Sequence, residues 1–174
     1  RTDEGDLDTV RDGRQVRRHV GFMFTDPRAQ LVMPTVAEDL ALSLKRLHPK
    51  KQDRLEAVER TLAQFGLEGR GDQSVHTLSG GQQQLLALAT VLATNPQVLV
   101  ADEPTTLLDL RNSLSIGNRL MHLPQQLVVA THDLDLAARC DRVLVIEAGR
   151  VAFDGAAPDG VAWYRERVTE AGQP

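Results

Sequence analysis

The sequence predicts an α/β fold with a parallel sheet, and two observations support this. Short apolar runs typical of buried strands, at Val20–Phe24, Val98–Ala101 and Leu127–Ala130, alternate with segments of helical periodicity. Parallel strands need a crossover connection, usually a helix, so this alternation predicts parallel pairing. The composition agrees, because 41% hydrophobic and 25% charged residues over 174 positions exclude a disordered chain.

Three helices are predicted between the first two strands. Thr35 followed by Glu38 has the spacing of a capping box, and the apolar residues after it fall on one helical face. A second apolar face runs over Leu55–Phe65, and Gly66 suits the end of that helix. The third helix begins at Ser79 and is apolar nearly all round, which predicts that it is buried.

The two ends of the chain carry weaker patterns. Residues 1–19 are polar and predict a surface loop. A helix is expected over about residues 111–121, and a hairpin over Arg142–Phe153.

The net charge of −4 argues against a non-specific nucleic-acid binder, and the single cysteine excludes a zinc site built on several thiolates.

Polar side chains follow two of the predicted strands, where α/β sheets hold their ligands. Asp102 could hold Mg²⁺, which prefers hard oxygen ligands, and Glu103 could act as a general base on an attacking water. His132 follows the next strand. Either strand end taken alone is equally well explained by the polar loop residues that commonly follow strands.

A third polar segment, Ser79-Gly-Gly81, opens the buried helix. Glycine lets a backbone approach a ligand closely, and the free N–H groups of a helix N-terminus favour an anion such as phosphate. The alternative is an ordinary serine N-cap with a flexible lead-in. That alternative is weakened because the helix leads directly to the strand that carries Asp102.

Taken together, these segments resemble the nucleotide-binding subunits of ABC (ATP-binding cassette) ATPases. Leu78-Ser-Gly-Gly-Gln82 is similar to the signature motif, and Val98-Leu-Val-Ala-Asp-Glu-Pro104 to Walker B with its catalytic glutamate. Thr106-Leu-Leu-Asp109 resembles the D-loop, and Thr131-His-Asp133 resembles the switch-histidine segment. The resemblance covers about residues 18–155. It implies a P-loop NTPase-like fold with a helical subdomain inserted at about 33–78.

The family sandwiches two ATP molecules between two subunits, and the resemblance implies roles by position. Asp102 serves Mg²⁺, Glu103 polarises the water, and His132 contacts the γ-phosphate. The signature segment contacts ATP held by the partner subunit, and Asp109 lies at the dimer interface. The ATP-binding residues implied are Ser79, Gly80, Gly81, Gln82, Asp109 and Thr25.

Two departures from the family pattern matter. Thr25 stands where the family has the Q-loop glutamine, and its shorter side chain puts the reach to magnesium and water in doubt. The 174 residues contain no G-x-x-x-x-G-K-[ST] phosphate-binding loop. We therefore expect a strand–P-loop–helix unit to precede Arg1, and we expect the chain by itself to be inactive as an ATPase.

Val20-Gly-Phe-Met-Phe-Thr-Asp-Pro27 and Pro34-Thr-Val-Ala-Glu-Asp39 are similar to the energy-coupling-factor (ECF) importers of vitamins and cobalt or nickel ions. This resemblance implies a second ATPase subunit, a transmembrane coupling subunit docked on the segment from Pro27 onward, and a substrate-binding membrane subunit. It places the chain at the cytoplasmic face of the membrane. Three alternatives stay open: an amino-acid or metal importer of the ordinary ABC type, a soluble non-transport ABC ATPase, and a catalytically inactive partner subunit.

Overall fold

The computed structural model describes residues 6–171, with seven helices and five strands in that range. Two short 3₁₀ helices, Pro27–Ala29 and Val75–Thr77, lie in the connections. In chain order, the elements are α1 (Gly13–His19), β1 (Val20–Met23), α2 (Val36–Leu44), α3 (Lys51–Gln64), α4 (Gly80–Leu92), β2 (Val98–Asp102), α5 (Leu110–Met121), β3 (Gln126–Ala130), α6 (Leu134–Ala137), β4 (Arg142–Glu147), β5 (Arg150–Ala156) and α7 (Ala157–Ala171).

The first three strands form one parallel sheet in the order β1-β2-β3, which confirms the predicted pairing. Met23 of β1 lies opposite Ala101 of β2, and Asp102 lies opposite Ala130 of β3. Because the three strands run in the same direction, their carboxyl ends meet at one edge of the sheet. The loops that follow β1 and β2 are thereby brought side by side.

Two apolar clusters support this sheet and the helices beside it. One cluster joins α2, α3 and α4, with Leu40, Leu62 and Leu86 fully buried. The other packs Leu88 of α4 and residues of α5 against β1 and β2. Burying each such leucine stabilises the fold by about 1.5–3 kcal/mol. Helix α4 contributes to both clusters, so its predicted burial is confirmed and its position is tightly constrained.

Local signals predicted the starts of α2 and α4 correctly, but the prediction for one segment was wrong. The capping box of Thr35 and Glu38 forms as predicted. Residues 1–19, predicted as a loop, contain helix α1 from Gly13 to His19, while residues 1–5 lie outside the described range. No residue of α1 is buried, so the apolar periodicity that usually reveals a helix is missing. Three basic residues in its last turn suit the negative end of the helix dipole.

A second compact unit begins at Thr131 and is described to residue 171. In its described part, β4 and β5 make the predicted antiparallel hairpin and α7 packs on it. The Arg142 guanidinium donates two hydrogen bonds of 2.6 Å to the Asp154 carboxylate. These bonds hold the pKa of Asp154 below its usual value and raise the pKa of Arg142. Among the described residues, no helix combines the length and apolar character needed to cross a bilayer.

Candidate functional site

Thr25 and Asp102 come together at the carboxyl ends of β1 and β2. The Thr25 hydroxyl donates a hydrogen bond of 3.0 Å to Asp102 Oδ2, although the two residues are 77 positions apart in the chain. Both side chains are partly buried. The parallel register brings the two strand ends to the same edge, so Thr25, two residues after β1, can touch Asp102, the last residue of β2. The residue at the Q-loop position therefore reaches the aspartate, despite its short side chain.

Glu103 follows directly and has a backbone φ of 46°, in the left-handed region that non-glycine residues seldom adopt. Its N–H donates to the carbonyl of Ala130 at 2.8 Å, extending the contact with β3. Its carboxylate Oε2 accepts a 2.8 Å hydrogen bond from the Thr106 hydroxyl. A left-handed conformation costs about 1–2 kcal/mol in a non-glycine residue, and such strain clusters at functional sites.

The signature segment is built from short-range hydrogen bonds. The Ser79 side chain accepts from the N–H of Gln82, and Gln82 Oε1 accepts from the N–H of Ser79, so the two residues form a capping box at the start of α4. Ser79 and Gly80 are exposed, whereas Gly81 is buried. The arrangement leaves the N-terminus of a 13-residue helix facing outward at an exposed serine and glycine.

Asn112 connects Asp109 to the signature segment, Leu78–Gln82. Asp109 caps α5, with its two carboxylate oxygens accepting from the backbone N–H and the side-chain amide of Asn112 at 2.8 and 3.0 Å. The side chain of Asn112 packs against Gly81, where a Cβ would lie only 2.4 Å from Asn112 Cγ. Glycine is therefore required at position 81 for the contact between these two segments.

Two further residues of the site, Gln84 and Gln30, had no predicted role. Gln84 is almost fully buried in α4, and its side-chain amide donates to the carbonyl of Pro104 at 3.0 Å, immediately after Glu103. The neighbouring Gln83 donates instead to the carbonyl of Val75. The run of glutamines in an otherwise apolar helix was the available signal, because buried polar side chains need partners.

Gln30 links α4 to the loop that follows β1, as Gln84 links α4 to the loop that follows β2. Its Oε1 accepts from the N–H of Phe24 at 3.2 Å, and its Nε2 donates to the carbonyl of Ala87 in α4 at 2.8 Å. Helix α4 is thus bonded to the loop that carries Thr25 and to the loop that carries Glu103. The segment resembling the signature motif and the two acidic positions share one rigid support.

His132 lies in the second unit, directly before the start of α6. Its side chain is exposed. The neighbouring Asp133 caps α6 by accepting from the N–H groups of Asp135 and Leu136, and its own N–H donates to the Thr131 hydroxyl at 3.0 Å. The segment is therefore a tight local turn at the start of a helix.

The donor set near Asp102 fits a hard divalent cation. No group of three His, Cys, Asp or Glu side chains suited to a metal occurs within residues 6–171. Mg²⁺ commonly takes only one or two carboxylates and completes its shell with water and phosphate oxygens. The carboxylate of Asp102, with the Thr25 hydroxyl donating to one of its oxygens, provides this kind of ligand.

Comparisons with known proteins identify the class of protein. A family model described as ABC transporter matches residues 1–106. The biotin transport ATP-binding protein BioM of Rhizobium etli is 44% identical over 155 residues, which are 89% of this chain and 69% of BioM. The chain belongs to the ABC transporter family of ATP-binding subunits, as the sequence predicted.

A further relative is an ECF transporter subunit, and a solved structure has the same fold. The ECF transporter ATP-binding protein EcfA1 of Leuconostoc mesenteroides is 35% identical, with 98% of this chain and 66% of EcfA1 aligned. The solved structure of cbiO1 from Clostridium perfringens, part of the ABC transporter complex cbiONQ, superposes with a TM-score of 0.81. It is 30% identical, and the alignment covers all of this chain and 72% of cbiO1. The α/β fold predicted from the sequence is therefore the ABC ATPase fold.

Proposed function

We propose that this chain is part of an ATP-hydrolysing subunit that powers import of a vitamin or a transition-metal ion through an ECF-type transporter. The observation that carries the proposal is the group of Thr25, Asp102 and Glu103 at one sheet edge, bonded through Gln84 to the helix that opens with Ser79. The names of the relatives support the transport role, since one energises biotin transport and another belongs to an ECF transporter.

Asp102 and Glu103 divide the work on the triphosphate between them. Asp102 holds Mg²⁺, which when bound neutralises charge on the phosphate oxygens. Glu103 accepts the proton of the attacking water. The Thr106 hydroxyl, which donates to Glu103 Oε2, keeps the carboxylate in one orientation. The strained backbone of Glu103 turns its side chain out of the strand direction at the end of β2.

The signature segment binds the phosphates of ATP held by a second ATPase subunit, which is either another copy or a different chain. Ser79 and Gly80 are exposed at the N-terminus of α4, where backbone N–H groups and the helix dipole favour an anion. Gln82 acts indirectly, because its side chain fixes the N–H of Ser79. Asp109 orders the neighbouring turn, and His132 contacts the γ-phosphate.

A transmembrane coupling subunit docks on the helical subdomain formed at about residues 33–78. A cleft of about 360 Å³ lies between α3, the ends of α2 and α4, and the segment before β3. Its lining combines apolar side chains with His48 and Arg60. Gln125 Oε1, at the same cleft, is a buried acceptor without a hydrogen-bond partner among the described residues. Docking places the subunit at the cytoplasmic face of the membrane, in complex with a substrate-binding membrane subunit.

The experiment is ATP turnover by the subunit expressed from its complete reading frame. Glu103→Gln keeps the shape of the side chain but removes the base, so we expect ATP binding to remain and turnover to fall about 10²–10⁴-fold. Glu68→Gln, at an exposed position, is the matched control and keeps the parent rate. Residues 1–174 alone, which contain no phosphate-binding loop, show no turnover. Equal rates for the Glu103 and Glu68 variants would contradict the proposal.

A further inference from the structure

The contact between Thr25 and Asp102 suggests a second function for the threonine. Its hydroxyl donates to Asp102 Oδ2 at 3.0 Å. Within residues 6–171, no other hydrogen bond to the Asp102 side chain is formed. The bond therefore fixes one carboxylate oxygen, and the other has no hydrogen-bond donor among the described residues.

The loop that carries Thr25 is held firmly enough for this bond to orient the carboxylate. On its near side, the N–H of Phe24 donates to Gln30 Oε1, and Gln30 is anchored on α4. On its far side, Asp26 caps the short helix that begins at Pro27, accepting from the N–H of Arg28 at 2.9 Å. Thr25 is also β-branched, so its χ1 angle has few alternatives. The hydroxyl has little freedom to leave Asp102.

We propose that Thr25 is a positioning residue that orients the Asp102 carboxylate for its metal ion, an inference that rests on the proposed function. A hydrogen bond donated to one oxygen of a carboxylate restricts rotation of the group and directs the other oxygen to the cation. Hydrogen bonds to an ionised acceptor are stronger than neutral ones, so a single bond can carry this role. The short side chain acts through Asp102, where a longer residue would have to reach the metal itself.

The alternative is that Thr25 merely fills space at the end of β1. Thr25→Val separates these two roles, because valine keeps the branched shape and removes the hydroxyl. Thr25→Ser is the opposite variant, which keeps the hydroxyl and loses the methyl group. A structural role predicts that valine is the milder change, and a positioning role predicts that serine is.

The test measures Mn²⁺ binding by electron paramagnetic resonance in the subunit expressed from its complete reading frame, with ATP present. All variants carry Glu103→Gln so that turnover does not consume the nucleotide. We expect Thr25→Val to weaken Mn²⁺ binding about tenfold, the size of one charge-assisted hydrogen bond, and Thr25→Ser to stay within about twofold of the parent. ATP binding in the presence of EDTA stays unchanged in both variants.

Asp102→Asn separates failure of this inference from failure of the proposed function. If Asp102→Asn weakens Mn²⁺ binding and Thr25→Val does not, the positioning role is wrong and the metal role of Asp102 stands. If Asp102→Asn also leaves Mn²⁺ binding unchanged, both are wrong. Thr25→Ala, which adds no atoms, repeats the test if valine lowers the melting temperature, and parent-like binding in that variant also overturns the inference.

Discussion

The acidic end of β2 and the N-terminus of α4 are built in opposite ways. Asp102 is held by a residue 77 positions away, and the carbonyl after Glu103 is held by Gln84, 20 positions away. The polar groups of Ser79, by contrast, bond to Gln82, three positions away. The first region depends on the whole fold for its geometry, whereas the second forms as soon as α4 does. We infer that the acids depend on long-range contacts for their placement, whereas the cap of the signature segment forms locally and only the contact of Gly81 with Asn112 depends on α5.

The largest effect on ATP turnover is expected from changing Gln84, which holds the loop at the acidic end of β2. Gln84→Met keeps the side-chain length and removes the bond to Pro104, so the loop that carries Glu103 can shift. A displacement of about 1 Å can cost up to 10²-fold in rate, and we expect turnover to fall about 10–100-fold with ATP binding retained.

Gln83→Met is the matched control for that experiment. Gln83 is also buried in α4, but its amide bonds to Val75 in the connection before the signature segment. Each variant leaves a buried carbonyl without its donor, at a cost of about 1–3 kcal/mol in the free energy of unfolding. Similar losses of stability with a loss of turnover only for Gln84→Met would support the comparison. Equal turnover in the two variants would show that the bond from Gln84 to Pro104 does not place Glu103.

A smaller effect is expected at the contact between the signature segment and α5. A Cβ at position 81 would overlap the side chain of Asn112, whereas one at position 80 would meet only the carbonyl of Leu107 at 3.9 Å. Gly81→Ala should therefore lower the free energy of unfolding by about 1–3 kcal/mol, the usual cost of overpacking. Gly80→Ala, the control, should cost less. Chemical denaturation measures both, and adding Asn112→Ala to Gly81→Ala should restore part of the loss.

The same contrast explains what could be predicted from the sequence. The capping boxes at Thr35 and Ser79 depend on residues three positions apart, so they are visible in the sequence and the structure confirms them. The parallel sheet follows from the alternation of apolar runs with helices.

The long-range contacts were not predictable. Thr25 could be noted as a departure from the family pattern, but its bond to Asp102 depends on the register of β1 against β2. The roles of Gln30 and Gln84 depend on where α4 lies, which no local pattern gives. Helix α1 was missed because it buries none of its residues, so its sequence carries no amphipathic stripe. The capping boxes and the parallel sheet were predicted correctly, and the side-chain contacts that join α4 to the two loops were not.

The acidic end of β2 and the N-terminus of α4 are proposed to have separate roles. The most direct test is ATP-dependent association of the subunit, measured by sedimentation velocity. The subunit carries Glu103→Gln, so that ATP persists, and is mixed with its partner ATPase subunit. We expect association on adding ATP and Mg²⁺, and loss of association when Ser79→Glu is added, because the new carboxylate repels phosphate at the helix N-terminus. Ser74→Glu, at the cap of the preceding 3₁₀ helix, serves as the control and should still associate. Association that persists with Ser79→Glu would show that the N-terminus of α4 does not bind the ATP held by the second subunit.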